Sequence, residues 1–196
     1  MNQHLAIIFW DLGIGGVQTR ISAVVEKILT THPKAFITIM LYERKTNEVV
    51  ISNNPRVSIV SFPGSYTIKS RFFTKKIWRF TTLQFALWMY YQLFTVRPTH
   101  VLVFLNRLSF SVAWYILLLK ILRSAPHFVI NEPVVLSDYL QRRDPHWQPF
   151  MITFSHAVAD TVIVATRSVK GDLIKNFQTN PKKIIVIPSW TKHHEN

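Results

Sequence analysis

The stretch HLAIIFWDLGIGGVQTRISAVVEKI, residues 4–28, decides the fold. An apolar run, Leu5 to Trp10, meets a turn with glycines at 13, 15 and 16. A helical pattern follows at once, with Val17, Ile21, Val24, Val25 and Ile28 on one face. In a parallel sheet such a turn lies at the carboxyl end of a strand, where ligands bind. Glycine there lets backbone N–H groups approach a phosphate, and the helix N-terminus adds favourable partial charge. Gly15, Gly16 and Gln18 are therefore the candidates for holding a phosphate-bearing ligand at this turn. The alternative is a tight turn that holds no ligand. A dinucleotide fingerprint, G-x-G-x-x-G, is incomplete, because Gln18 stands where its third glycine belongs. Glu43, past the second strand, is the residue that would have to serve as the ribose-binding acid of such a site.

Outward from this unit, short apolar segments alternate with helical patterns. Strands are predicted at Phe36–Tyr42, Val57–Val60, Val101–Leu105, His127–Asn131, Thr161–Ala165 and Lys183–Ile187. Helices are predicted at Ile68–Val96, ended by Arg97-Pro98, and at Ser109–Leu122 and Ser168–Phe177. A less regular stretch with prolines at 133, 145 and 149 follows the fifth strand. Continuously apolar strands belong in a sheet covered on both faces. The expected fold is α/β: a doubly wound, mostly parallel Rossmann-like sheet of about seven strands with helices on both faces. Residues 1–190 read as one such domain, and 191–196 as a polar tail or the start of a linker.

Composition narrows the function. The chain has 196 residues, 48% hydrophobic and 17% charged, which is globular. Without cysteine it has no disulfide framework and no thiolate metal site, and its histidines show no metal-ligand spacing. H-E-x-x-H, P-loop and G-x-S-x-G motifs are missing. The start MNQHLAIIFW lacks the basic region of a signal peptide. The uncharged runs Phe80–Val96 and Leu108–Leu119 fall short of the roughly 20 apolar residues a membrane span needs.

Charge is distributed unevenly. The net charge is +13, and between Glu48 and Glu132 there are ten Lys or Arg and no acid. A field of that sign calls for an anionic partner. Within it, SRFFTKKIWRF, residues 70–80, interleaves cations with aromatics, the composition of helices that lie on anionic membranes. Lys69, Arg71, Phe72, Phe73, Lys75, Lys76, Trp78 and Arg79 are the membrane-binding candidates. An ordinary amphipathic helix is one alternative. Single-stranded nucleic acid, the least favoured of the three, is the other. Farther on, Asn131 and Glu132 fall at the carboxyl end of a central strand and are the catalytic candidates. Glu132 is either a carboxylate that accepts a proton there or a strand-end residue facing solvent. His156, in SHAVAD, reads as a packed helix residue.

Two segments together resemble one family. IIFWDLGIGGVQTRISAVVEKIL resembles the opening of glycosyltransferase family 4 N-terminal domains, with a strand, a Gly-Gly loop and a helix. ADTVIVATRSVKGDLIKNFQTNPKKIIVIPSW is similar to their closing segment. Two departures stand out: the family often has a histidine near the strand end held here by Asn131-Glu132, and Ser189-Trp190 replaces Asn-Gly after Ile187-Pro188. The resemblance implies the acceptor-side half of a retaining GT-B glycosyltransferase, with Gly15-Gly16 approaching donor phosphates or acceptor. It implies a sugar-nucleotide donor for the complete enzyme and no cofactor in this chain itself. The implied partners are a glycan or lipid-linked acceptor, an anionic membrane surface, and a C-terminal donor-binding domain in the same or a separate chain. The implied location is the cytoplasmic, inner face of a membrane. Two other readings remain: a non-catalytic docking subunit of a split glycosyltransferase, and a nicotinamide-dinucleotide-binding domain.

Overall fold

The computed structural model describes residues 3–11, 16–43, 54–63, 75–104, 106–122, 124–137 and 148–188. Strand β1 (His4–Phe9) leads to helix α1 (Gly16–Thr31) and β2 (Phe36–Leu41); β3 (Val57–Ser61), α2 (Lys75–Val96) and β4 (His100–Phe104) follow. Then come α3 (Asn106–Ile121), β5 (His127–Glu132), α4 (Gln148–Val158), β6 (Thr161–Val164), α5 (Arg167–Phe177), a 3-10 turn (Pro181–Lys183) and β7 (Ile184–Val186). The seven strands form one sheet in the order β3-β2-β1-β4-β5-β6-β7, and every neighbouring pair is parallel. This is the doubly wound Rossmann-like architecture that the alternation of apolar segments predicts.

Side chains of successive strand residues point to opposite faces, so a strand buried on both sides must be apolar throughout. In β1, Ile7 and Phe9 join Ile21 and Val25 of α1, whereas Ala6 and Ile8 join the opposite layer. That opposite layer is built by Phe85, Met89 and Leu93 of α2, Val112 and Ile116 of α3, Ile152 of α4, and Leu173 of α5. Each such side chain, fully buried, contributes about 1.5–3 kcal/mol. Four helices thus cover one face, and α1 covers the β1–β2 side of the other.

One local expectation needs correction. The proline-marked stretch after β5 contains a regular helix, α4, with Pro149 as its second residue. Proline in a first helical turn removes an N–H that has no intrahelical acceptor anyway, so there it does not break a helix.

Polar side chains tie these layers together. Lys183 Nζ donates to the carbonyls of Ala157 and Ala159 at 2.7 Å each, and Lys120 Nζ donates to that of Val158 at 2.7 Å. Both ammonium groups therefore serve the carboxyl end of α4, where the last carbonyls have no intrahelical donor. Lys120 also pairs with Asp160, whose Oδ2 accepts the Phe128 N–H at 2.8 Å. Thr166 caps α5 by accepting the Val169 N–H. At the far end of α5, Gln178 adopts the left-handed conformation, with φ at 51°.

Asp172 of α5 is buried and accepts the N–H groups of Leu136 at 2.9 Å and Ser137 at 3.1 Å, with Asn176 Nδ2 at 2.7 Å. It thereby fixes the segment that leaves β5. Desolvation opposes its charge, but donors from Ser137, Asn176 and Leu136 outweigh it and hold the carboxyl below its usual range. A folded value below the unfolded one contributes stability above the ordinary carboxylate range and loses it as pH falls through the lowered value. Asp172→Ala is expected to cost about 2 kcal/mol near neutral pH in urea unfolding, with the deficit shrinking in acid. A deficit independent of pH would assign Asp172 to packing alone.

Candidate functional site

The strand order reverses between β1 and β4, and in open parallel sheets ligands bind outside the carboxyl ends at such a point. On the β1 side, α1 begins at Gly16, and Gln18 Nε2 donates at 3.4 Å to the carbonyl of buried Asp11, just past β1. Trp10 stacks on Tyr42, with ring centroids 4.1 Å apart, and Tyr42 meets the edge of Phe85 at 4.9 Å. The Glu43 N–H donates to the Trp10 carbonyl at 2.8 Å, so Glu43 sits beside the end of β1. Gly15 lies outside the described residues.

On the β5 side, Asn131 is in register with Phe104 of β4 and Ile163 of β6. Two strand spacings, about 10 Å, separate β5 from β1. Alternation along β5 sends Asn131 to the α1 side of the sheet and Glu132 to the side of α2 through α5. Asn131 is 3% exposed, and its Oδ1 has no hydrogen-bond partner among the described residues. An orphaned buried acceptor costs about 1–3 kcal/mol. It is an unspent acceptor at the strand end.

Glu132 does not face solvent. It is 1% exposed, and its Oε1 lies 3.4 Å from Nε2 of His156 on α4, which is equally buried. His156 Nδ1 lies in turn 2.8 Å from Thr179 Oγ1, in the turn after α5. With Nε2–H donating to the carboxylate, Nδ1 accepts the Thr179 hydroxyl in the neutral imidazole and donates to it in the imidazolium. Burial pushes the Glu132 carboxyl above its usual range, against the hydrogen bond and charge of His156. A desolvated carboxylate with an imidazole partner at a strand end has the character of a functional group, because apolar residues would stabilise the same space better. In this geometry the Glu132 carboxyl and the His156 imidazole form a buried hydrogen-bonded pair at the strand end.

The sequence places His156 correctly in a helix and in the interior. Its link to Glu132 spans 24 residues and leaves no spacing signal. Of the membrane-binding candidates, Lys69, Arg71, Phe72 and Phe73 lie outside the described residues. Lys75, Lys76, Trp78 and Arg79 fall in the first turns of α2, with their side chains outside that set. Among the described residues no helix is long and apolar enough to cross a membrane, and no His, Asp and Glu cluster could hold a metal ion. An open depression of about 390 Å³ lined by Lys120, Ala125, Pro126, His127 and Asp160 lies at the opposite, amino edge of the sheet.

The raised Glu132 carboxyl fixes a direction for pH. A folded value above the unfolded one means that the native state binds the proton more tightly. Stability from this group is then lost as pH rises from the ordinary carboxylate range through the raised value. Glu132→Gln keeps the shape without the charge, so its stability relative to the parent should climb as pH rises above the ordinary carboxylate range in urea unfolding. A difference that does not change with pH would show that burial does not raise the Glu132 carboxyl.

No protein-family model matches the chain, and no curated protein matches it in sequence. Solved structures match its fold. The apo form of the lipopolysaccharide outer core galactosyltransferase WaaB has a TM-score of 0.65 at 12% identity, over 96% of this chain and 46% of that one. Sucrose-phosphate synthase from Thermosynechococcus elongatus has a TM-score of 0.65 at 13% identity, over 96% and 48%. The UDP-GlcNAc 2-epimerase from Neisseria meningitidis, bound to UDP-GlcNAc, has a TM-score of 0.60 at 13% identity, over 94% and 45%. The chain spans about half the length of these structures. Its fold is therefore that of a Rossmann-like domain as found in GT-B glycosyltransferases and UDP-GlcNAc 2-epimerases.

Proposed function

We propose that this chain is the acceptor-side half of a retaining, family 4-like glycosyltransferase that uses a sugar-nucleotide donor at a membrane surface. The observation that carries the reading is the carboxyl edge of the sheet. There Gly16, at the head of α1, and Asn131, whose buried Oδ1 has no partner among the described residues, lie on the carboxyl side of the sheet near the strand-order reversal. Sugars and phosphates are recognised by such combinations of backbone N–H groups, helix N-termini and buried side-chain acceptors. The half-length match to two-domain-sized neighbours supports a second domain closing over this edge, in the same or a separate chain.

In this reading Gly15, Gly16 and Gln18 face donor phosphate or acceptor, and Asn131 accepts a hydrogen bond from a sugar hydroxyl. Glu132, paired with His156, which Thr179 holds in turn, orients the β5 end. The basic stretch from Arg56 to Arg123 draws the domain to an anionic membrane that carries a lipid-linked acceptor. A non-catalytic docking subunit of a split enzyme shares every feature except a role for Asn131 in transfer.

Asn131→Leu separates the two. Replacing an orphaned acceptor by an apolar group of the same shape should stabilise the chain by about 1 kcal/mol in urea unfolding. If Asn131 holds the acceptor, the same change abolishes transfer of labelled sugar once the donor-binding half is supplied. Unchanged transfer would favour the docking subunit. Transfer at ordinary enzyme rates by the purified chain alone would overturn the half-enzyme reading.

A further inference from the structure

On α2, Leu83, Leu87, Tyr91 and Phe94 recur at helical spacing and are all exposed, while Phe85, Met89 and Leu93 fill the core on the other side. The same holds on α3, where Trp114, Leu118 and Ile121 are exposed and Val112 and Ile116 are buried. Exposure across these outer stripes runs from 50% at Trp114 to 71% at Ile121. The helices are neighbours: Tyr90 Oη donates to the Ser111 carbonyl at 2.7 Å, and the Tyr90 and Tyr115 rings stack at 5.2 Å. Their stripes therefore belong to one surface. With each side chain exposing on the order of 100 Å², its area exceeds the few hundred Å² that soluble monomers leave apolar.

We propose that the paired outer faces of α2 and α3 are the docking surface of this chain on an anionic lipid bilayer. The proposal rests on the membrane part of the function proposed above and assigns the contact to different side chains, 83–94 and 114–121 rather than 69–79 alone. Charge selects the occupant. Neither helix contains an acidic residue, α2 begins with Lys75, Lys76 and Arg79, and Arg97 Cζ lies 5.6 Å from the centre of the Phe94 ring at its far end. An apolar stripe of leucine and aromatics on helices whose only charged residues are cations suits the headgroup boundary, where rings and leucines enter and the surface is anionic. Two copies of this chain joined through the same face would set one acid-free, basic surface against another. A bilayer also requires no shape complementarity from two parallel helices. Neither helix spans the membrane: α3 is too short, and α2 is too polar in its apolar run.

The pose follows from topology. Both helices run back along the strands they connect, so docking by their outer faces lays the sheet parallel to the bilayer. The carboxyl edge, with Gly16 and Asn131, then opens sideways along the membrane surface. A headgroup projecting from the same leaflet would reach it.

The test is co-sedimentation of the full chain with vesicles of phosphatidylcholine alone or with about one-third phosphatidylglycerol. The double variant Leu87→Gln/Leu118→Gln alters only exposed positions, and its urea midpoint checks the fold. The expected result is binding to anionic vesicles that falls at least about tenfold in the double variant. Brominated lipid should also quench fluorescence in the parent that is lost in Trp114→Phe. If the parent binds anionic vesicles but the double variant binds as tightly and Trp114 is not quenched, the α2–α3 face is wrong while the membrane reading stands. If the parent binds no vesicles, the membrane reading itself falls. Equal binding to neutral vesicles overturns the choice of an anionic surface. A dimer in solution that the double variant abolishes, with no vesicle binding, assigns the face to a second copy.

Discussion

A parallel strand has two faces and, in the centre of a sheet, no solvent on either. β1 and β4 meet that constraint by being apolar at every position from Ala6 to Phe9 and from Val101 to Phe104, all buried. The helices must then supply matching apolar stripes: one from α1 on one side and four from α2 to α5 on the other. The carboxyl edge is where this demand ends. Beyond Phe9 and Phe104 the chain leaves the sheet, and the buried polar residues Asp11, Asn131 and Glu132 gather at this edge.

That tolerance depends on partners. Glu132 has the imidazole of His156, and His156 has Thr179. The segment from Ala159 to Pro188 supplies further polar ties, behind β5 and at the amino edge of the sheet. Asp160 holds β5 and Lys120, Asp172 holds the segment leaving β5, and Lys183 caps α4. Of these, Asp172 acts beside the strand end, while Asp160, Lys120 and Lys183 act at the amino edge.

Strands and their parallel arrangement were legible because four to six consecutive apolar residues between helical patterns suit a strand covered on both faces and little else. The start of α4 was hidden by Pro149, since proline breaks a helix interior but is accepted in a first turn. The buried relay was illegible because 24 residues separate Glu132 from His156 and 23 separate His156 from Thr179. Only the packing of α4 over β5 joins them. On α2 the sequence drew attention to the cations at 69–79. An apolar residue on a helix with two apolar sides does not declare which side is inward, so the stripe from Leu83 to Phe94 emerged only with the core it opposes.

The strand order also has a consequence in time. β1 lies between β2 and β4, yet β4 follows it by some ninety residues, and the bond from the His4 N–H to Thr99 Oγ1 spans 95. During synthesis at about 5–20 residues per second, one edge of β1 stays unpaired for roughly 5–20 s after it emerges. That edge is flat, parallel-seeking and apolar, the kind that pairs with neighbouring chains. The sheet is therefore most exposed to error while its own centre strand waits for its partner.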